Sequence, residues 1–299
     1  MTTFIFGEAM LEYHSNGGAG LRYGGDTLNT AIHLARAGHE VAYVTAVGTD
    51  AISDALVESW SAEGIDTRYV LRHPARHPGI YAIHLDALGE RSFLYWRDQS
   101  AARQMFDLPG ISAALEEASH GELVYFSLIS LAIVDDPGRE QLLALAASRK
   151  NAGKAVAYDS NFRPALWRDL AVAQEASRLA MSVCTLALPT NSDERELWRT
   201  SEDENEIARR WIENGCELVA VKAAEKGCVL ATRDTDEPRE FQASPVRVVD
   251  SSGAGDAFNG GFLASWLNGD TLASSVEAGQ ALARRTLGHQ GAIEFHTPE

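Results

Sequence analysis

The sequence predicts an α/β protein with a mostly parallel central sheet and helices on both of its faces. Two observations lead to this prediction: short apolar runs alternate with helical patterns along most of the chain, and no internal repeat or linker divides its 299 residues. A chain of this length can bury a large core as one unit. We therefore expect a single domain that spans residues 1–299.

The predicted elements follow one another in the order strand, helix, strand. The strands are short, apolar runs, which we expect to be buried, at residues 3–7, 41–47, 123–127, 155–159, 184–188 and 218–221. The helices lie between or after them, at residues 27–37, 52–63, 137–150, 169–181, 204–214 and 272–288. In such a sheet, ligands bind outside the carboxyl ends of the strands.

The segment from about 68 to 97 interrupts this alternation. Two strand-like runs, 81–85 and 92–96, are joined through residues 86–90 and predict a hairpin. With a short segment near 10–17, this hairpin is expected to form a small β lid over the active site. The alternative is an edge hairpin of the main sheet.

Composition and charge exclude several classes of function. The net charge of −16 argues against nonspecific binding to nucleic acid or to an anionic membrane. No apolar run is long enough to span a membrane and no secretory signal is evident, so we expect a cytoplasmic location. The widely spaced Cys184, Cys216 and Cys228 predict buried reduced thiols, and prolines next to His73 and His77 favour a loop over a metal site.

The most informative segment is 250–256, where small residues and a carboxylate precede a helical pattern. Phe258, Phe262 and Trp266 recur at intervals of four residues, so the helix is predicted to begin near Gly253. The unpaired N–H groups of a first helical turn bind anions, and an aspartate in that turn can accept a proton. An ordinary glycine-rich helix start with an acidic residue gives the same pattern.

Three short motifs break this tie. The chain has neither a P-loop nor a dinucleotide-binding glycine motif. Segments 24–31, 191–194 and 253–256 instead resemble, in the right order, the motifs of the ribokinase-like (PfkB) carbohydrate kinases. Within that family the likeness covers essentially the whole chain and is strongest to the kinases of 2-keto-3-deoxygluconate, as marked by residues 95–97 and 162–164.

The resemblance implies a fold and an activity. The fold is a three-layer α/β/α kinase domain with a small β lid. The activity is ATP-dependent phosphorylation of the 6-hydroxyl of 2-keto-3-deoxygluconate, with Mg2+ and, as a further candidate, a monovalent cation such as K+. The implied partners are the sugar acid, ATP and further copies of the chain in a homo-oligomer. A kinase for another sugar or nucleoside, or a noncatalytic sugar-binding protein, are the alternatives.

The resemblance also implies a role for individual residues. Asp256 would be the base, and Gly253, Ala254 and Gly255 would supply N–H groups to the transferred phosphoryl group. The implied substrate-binding residues are Gly25, Asp26, Asn29, Tyr81, Tyr95, Arg97 and Arg163. Those implied on the nucleotide side are Asn161, Arg163, Asn191, Lys222, Ala224, Glu225, Gly227, Gly253 and Gly255. Glu194 would bind the metal, and Gly291 would border the nucleotide.

Arg97 and Arg163 are the residues that a sugar acid requires. A guanidinium can hold a carboxylate through two parallel hydrogen bonds, which a neutral hexose would not use. Arg163 could instead hold an ATP phosphate. For Asp26 and Asn29 the alternative to sugar binding is capping of the helix at 27–37, and the two roles are compatible. Both alternatives remain open at this point.

Overall fold

The structure, a computed structural model, describes residues 1–14, 22–85, 91–235 and 237–294. Two pieces of the predicted lid, residues 15–17 and the hairpin connection at 86–90, lie outside these ranges.

The strands and helices alternate along the chain as predicted. The strands are β1 (Thr3–Phe6), β2 (Met10–His14), β3 (Arg22–Gly24), β4 (Val41–Val47), β5 (Ile65–Asp66), β6 (Val70–Arg72), β7 (Gly79–Leu85), β8 (Arg91–Trp96), β9 (Leu123–Ser127), β10 (Ala155–Asp159), β11 (Leu186–Ala187), β12 (Leu218–Lys222), β13 (Cys228–Thr232) and β14 (Arg239–Phe241). The helices are α1 (Asp26–Arg36), α2 (Ala51–Ala62), α3 (Ile111–His120), α4 (Leu128–Ile133), α5 (Asp136–Asn151), α6 (Leu170–Val183), α7 (Asn191–Trp198), α8 (Glu204–Glu213), α9 (Ala254–Leu267) and α10 (Leu272–Leu287).

The main sheet is ten-stranded and mostly parallel. Its order is β14-β13-β12-β11-β10-β9-β1-β4-β5, and β6 also pairs with β4. The pairs from β12 through β5 are parallel, whereas β13 and β14 add antiparallel strands at one edge. The predicted fold class is therefore confirmed.

Helices cover both faces of the main sheet because its strands are apolar on both sides. Along β1, Phe4 and Phe6 enter one buried cluster and Ile5 enters the other. The first cluster contains residues of α5, α6 and α8, including the fully buried Trp211. The second contains residues of α1, α9 and α10, including the fully buried Phe262. Each such side chain contributes about 1.5–3 kcal/mol of burial free energy.

A second, smaller sheet lies apart from the main one, in the order β3-β2-β7-β8. We call it the second sheet. The predicted hairpin forms β7 and β8 within it, and so does not extend an edge of the main sheet. β2 joins β7 in parallel, which brings the segment after β1 alongside the hairpin.

The structure differs from the predicted elements in a few places. The strand predicted at 184–188 is only Leu186–Ala187, because Cys184 caps the end of α6. The six residues of α4 are all buried, so this helix has no amphipathic pattern that would reveal it. The three cysteines are buried and form no disulfide, as predicted. Among the described residues, no helix has the length and apolar character needed to cross a bilayer.

Candidate active site

A pocket of about 540 Å³ opens between the carboxyl ends of the main-sheet strands and the second sheet. Asp159 and Lys222, the last residues of β10 and β12, line its floor together with the first turn of α9. Tyr81, Tyr95 and further residues of the second sheet line the opposite side. This is the position at which open α/β sheets bind ligands.

Helix α9 begins in the pocket with a backbone that requires glycine. Gly253 is the residue before the helix and has φ of 70°, in the left-handed region, and a Cβ there would collide with Ala292. No side chain of the described residues caps this helix start. The first-turn N–H groups, together with the positive end of the helix dipole, therefore form a candidate anion site, which Gly253 and Gly255 border.

Asp256 lies in the first turn of α9 and is 9% exposed. Its Oδ2 accepts a hydrogen bond from Nδ2 of Asn29 at 2.8 Å. Burial, and secondly the negative charge of Asp26, raise the pKa of Asp256 to about 8. The carboxyl group is therefore poised to take up a proton near neutral pH.

Asp26 and Asn29 reach the pocket from the first turn of α1. Asp26 accepts hydrogen bonds from the Ser127 hydroxyl and from Nδ2 of Asn161, the latter at 3.3 Å. Burial raises the pKa of Asp26 as well. The preceding Gly25 has φ of 150°, and a Cβ there would collide with the backbone oxygen of Glu8. The side chain of Asn29 is bonded to Asp256, so it does not serve as a helix cap.

The inner face of the second sheet carries aromatic and acidic side chains. Tyr81 lies opposite Tyr95 in the ladder, with ring centroids 6.0 Å apart. The Tyr81 hydroxyl donates to the carboxylate of Glu12 on β2. Tyr81 and Tyr95 line the pocket with aromatic rings that carry hydroxyl groups, and their predicted contact with a sugar stays a prediction.

Arg97 lines the same pocket but is held from behind by a buried carboxylate. Its Nε and Nη2 both donate to Oε2 of Glu8, with Nε at 2.8 Å, and the exposed fractions are 7% for Arg97 and 1% for Glu8. One edge of the guanidinium is therefore occupied. The Nη1 and Nη2 end still carries two parallel N–H groups, the arrangement that binds a carboxylate.

Arg163 lies on the other side of the pocket and is paired with Asp193. Its Nη1 is 3.2 Å from Oδ2 of Asp193, and its side chain is 52% exposed. Asp193 also accepts from the backbone N–H of Phe162 at 3.2 Å. Arg97 and Arg163 thus differ in exposure: the Arg97 guanidinium is held in a buried ion pair, whereas the half-exposed Arg163 pairs with Asp193 and donates from Nη1 to the Phe162 carbonyl at 2.6 Å.

The predicted nucleotide-side residues divide into two groups. Those that line the pocket are Asn161, Arg163, Lys222, Gly253 and Gly255. Those that do not are Asn191, Ala224, Glu225 and Gly227. The Asn191 amide donates to Glu204 of α8 at 2.7 Å. Gly227 has φ of 102° and a Cβ there would collide with Phe241, which accounts for the glycine without a ligand. The predicted backbone donor Ala254 directs its N–H toward the Ser251 carbonyl at 3.5 Å.

Glu194 does not reach the pocket, which corrects the prediction of a direct metal ligand. Its carboxylate is fully buried and accepts from Arg210 at 2.9 Å and from Trp211 at 3.1 Å. The described residues contain no cluster of three or more His, Cys, Asp or Glu that could enclose a metal. Here Glu194 fixes α7 against α8.

Sequence reasoning missed several residues that the structure brings to the site. Asp159 and Asp193 place two further carboxylates in the pocket, and Glu12 adds a third. Asp159 ends a predicted strand, so its position alone could have revealed it. No local pattern signals Glu8, whose partner Arg97 lies 89 positions later in the chain.

Comparison with known proteins identifies the family. The model of the pfkB family carbohydrate kinases matches residues 11–299. The chain belongs to this family. A 2-dehydro-3-deoxygluconokinase from Haemophilus influenzae is 38% identical over 298 residues, which cover 97% of this chain and 94% of that protein.

Two solved structures show the same fold. A PfkB protein from Polaromonas sp. JS666 superposes with a TM-score of 0.84 at 25% identity, over 97% of this chain and 96% of that one. An Escherichia coli protein described as a ribokinase II, solved in complex with ATP and Mg2+, superposes with a TM-score of 0.83 at 19% identity, over 97% and 94% of the two chains.

Proposed function

We propose that the protein transfers the γ-phosphoryl group of ATP to the 6-hydroxyl of 2-keto-3-deoxygluconate, also called 2-dehydro-3-deoxygluconate. The product is 2-keto-3-deoxy-6-phosphogluconate. The observation that carries this proposal is the shared pocket of Asp256, the open start of α9 and the buried Arg97. The name of the Haemophilus influenzae relative supports the same substrate.

Asp256 is the base in this proposal. As the O6–Pγ bond forms and the bond from Pγ to the β-phosphate oxygen breaks, the proton of the 6-hydroxyl passes to the Asp256 carboxylate and ADP leaves. Asn29 holds the carboxylate in place through its hydrogen bond of 2.8 Å. The N–H groups at Gly253 and Gly255 stabilise the charge on the transferred group, on the order of several kcal/mol in total, whereas the Ala254 N–H points to the Ser251 carbonyl.

The second sheet acts as the lid in this proposal. The sugar lies between its inner face and the carboxyl ends of the main-sheet strands, with Asp26 and Glu12 accepting hydrogen bonds from sugar hydroxyls. The free end of the Arg97 guanidinium binds the substrate carboxylate, and the rings of Tyr81 and Tyr95 pack against the sugar. Arg163 lies on the nucleotide side with Asn161 and binds phosphate.

The pocket also fits magnesium brought in by ATP. Mg2+ in kinases is held through one or two protein carboxylates, phosphate oxygens and water. Asp159 and Asp193 line the pocket with two carboxylates, which would face the phosphates of ATP. The ion would offset negative charge between these carboxylates and the phosphates of ATP.

Three further properties belong to the proposal. A monovalent cation such as K+ would lie near the loop of Gly291, whose N–H donates to Asp250 at 2.6 Å and so ties that loop to the start of α9. The chain would form a homo-oligomer through the outer face of the second sheet, and it would act in the cytoplasm, where ATP is available.

The base assignment is tested with Asp256→Asn. Purified wild-type protein should consume ATP in the presence of 2-keto-3-deoxygluconate. The variant should lose at least about 10³-fold in kcat, and it should still show a cooperative thermal unfolding transition. The control is Asp270→Asn. Asp270 follows the C-terminal end of α9 and lies outside the pocket, so this variant should lose much less kcat. Retained turnover in Asp256→Asn would overturn the assignment.

The carboxylate assignment needs a paired design, because removal of Arg97 alone leaves Glu8 as a buried unpaired charge. The double variant Glu8→Gln/Arg97→Met should lose roughly 10- to 100-fold in kcat/KM for the sugar acid, since hydrogen bonds to charged groups contribute about 1.5–3 kcal/mol. Glu8→Gln alone is the control. If the double variant acts on the sugar acid as well as the control does, Arg97 does not bind the substrate carboxylate.

A further inference from the structure

A buried network of hydrogen-bonded side chains lies directly beneath the first turn of α9. Nζ of Lys222 is 3.2 Å from both carboxylate oxygens of Asp159. Asn259, one turn after Asp256 in α9, accepts from this Nζ through Oδ1 at 2.9 Å. Its Nδ2 donates to Asp159 at 2.7 Å and to the Tyr125 hydroxyl at 3.0 Å. All four residues of this network, Lys222, Asp159, Asn259 and Tyr125, are buried, and Asn259 is 0% exposed.

The amide of Asn259 can take only one orientation here. Its oxygen faces an ammonium group, which only donates, and its nitrogen faces the Asp159 carboxylate, which only accepts at neutral pH. Reversal of the amide would set donor against donor and acceptor against acceptor. Asn259 therefore fixes both members of the ion pair at once.

The arrangement leaves Lys222 with one N–H group for a ligand. An ammonium has three donors. The two oxygens of Asp159 subtend too small an angle at Nζ to be met by separate N–H bonds, so they share one, and Asn259 takes the second. The third remains for the pocket, which Lys222 lines.

The position of the ammonium connects it to the anion site. A Cβ built on Gly255 would stand 3.8 Å from Nζ of Lys222. The positive charge therefore lies against the turn whose N–H groups are proposed to receive the transferred phosphoryl group. A buried ion pair by itself adds little net stability compared with apolar residues of the same size, so stability alone does not account for a charge at this place.

We propose that Lys222 donates a hydrogen bond to the phosphoryl group during its transfer, and that Asn259 is the positioning residue that holds the Lys222 ammonium for this task. The proposal rests on the proposed kinase function and adds a charged donor to the N–H groups of α9. Lys222 keeps its proton throughout: it stabilises charge on the phosphoryl oxygens as the O6–Pγ bond forms and the bond to the β-phosphate oxygen breaks.

Two variants test the proposal. Lys222→Met should lower kcat by about 10²- to 10³-fold, the loss typical of one preorganised donor, with the KM for the sugar acid changed by less than about 3-fold. Asn259→Ala should lower kcat by on the order of 10-fold with the same KM, because the ammonium is then held by Asp159 alone. The double variant should be no slower than Lys222→Met, since Asn259 acts through Lys222.

Binding provides a readout that does not depend on turnover. Calorimetry with MgADP alone and with MgADP plus aluminium fluoride and the sugar acid compares the ground state with a mimic of the transferring group. Lys222→Met should weaken binding of the mimic by at least about 10-fold more than that of MgADP. Ser265→Ala, which removes a partly buried hydrogen bond to Asp270 at the other end of α9, is the control and should change neither.

The outcomes separate the two proposals. Two results would overturn the role of Lys222. In the first, Lys222→Met and Asn259→Ala both fold and keep kcat within about 3-fold of an active wild type. In the second, they weaken the binding of MgADP and of the mimic equally. If Asn259→Ala does not fold, Asn259→Ser takes its place. A wild-type protein that phosphorylates none of the sugars tested would contradict the proposed function. The role of Lys222 would then be judged from the two binding measurements only.

Discussion

At the scale of single residues, Asp256 combines two requirements that oppose each other. A base for a hydroxyl group benefits from a raised pKa, yet a buried carboxylate costs free energy when it is ionised. In this fold, burial and the negative charge of Asp26 disfavour the ionised form of Asp256. The hydrogen bond from Asn29 favours the ionised form. The balance places the pKa of Asp256 at about 8.

This pKa predicts the pH dependence of the reaction. The base must be deprotonated, so kcat/KM for the sugar acid should rise with pH and level off above about 8. Asn29→Ala removes a hydrogen bond that lowers the pKa, so its rising limb should move to higher pH. Initial rates at saturating MgATP measure both profiles. A plateau already reached near pH 5, unchanged in Asn29→Ala, would show that Asp256 does not control the rate.

At the scale of elements, the position of Asp256 depends on how closely α9 packs against its neighbours. Gly260 lies one turn after Asp256 and faces His33 of α1, and Gly261 faces the backbone of α10. A Cβ at Gly261 would stand 2.7 Å from the Ala278 carbonyl oxygen. These glycines let α9 approach both helices, which fixes its first turn relative to Asn29.

We therefore predict that Gly260→Ala destabilises the protein, although alanine is the better helix former. Overpacking against His33 costs about 1–3 kcal/mol, which exceeds the propensity gain of about 1 kcal/mol. Denaturant unfolding measures the loss, and kcat should also fall because α9 must shift. Ala281→Gly, at an exposed position of α10, calibrates propensity alone. If Gly260→Ala is more stable than wild type, α9 is not tightly packed against His33 and the prediction is wrong.

The elements also show what the sequence could and could not reveal. The strands β1, β4, β9 and β10 were predictable because apolar runs between turn residues are a local signal. The start of α9 was predictable because its glycines and aspartate are adjacent. The interior of the site was not: Glu8 pairs with Arg97, and Glu194 turns away to Arg210, through contacts that only packing creates.

At the scale of the whole molecule, the second sheet has two different faces. The ladder places Tyr81, Tyr95 and Glu12 on the inner face and Ile80, Leu94, Trp96 and Tyr13 on the outer one. Leu94, Trp96 and Tyr13 are 59%, 60% and 61% exposed. An apolar patch of this kind marks an interface, and we propose that a second copy of the chain covers it.

The proposed interface predicts the effect of charge on the outer face. Leu94→Glu/Trp96→Glu should convert the oligomer to a monomer in analytical ultracentrifugation, because two like charges would be buried without partners. Leu179→Lys, at an exposed apolar position of α6, is the matched control and should leave the sedimentation coefficient unchanged. A wild type that sediments as a monomer at micromolar concentration would contradict the interface.

The pocket as a whole is proposed to phosphorylate a sugar acid. The measurement that tests it most directly is a coupled ADP-release assay with 2-keto-3-deoxygluconate, its galactonate epimer, fructose and ribose at equal concentration. We predict a kcat/KM for at least one of the two sugar acids on the order of 10²-fold above those for fructose and ribose, since neither neutral sugar satisfies Arg97. Equal or faster turnover of fructose or ribose, or no ATP consumption with any of the four, would contradict the account.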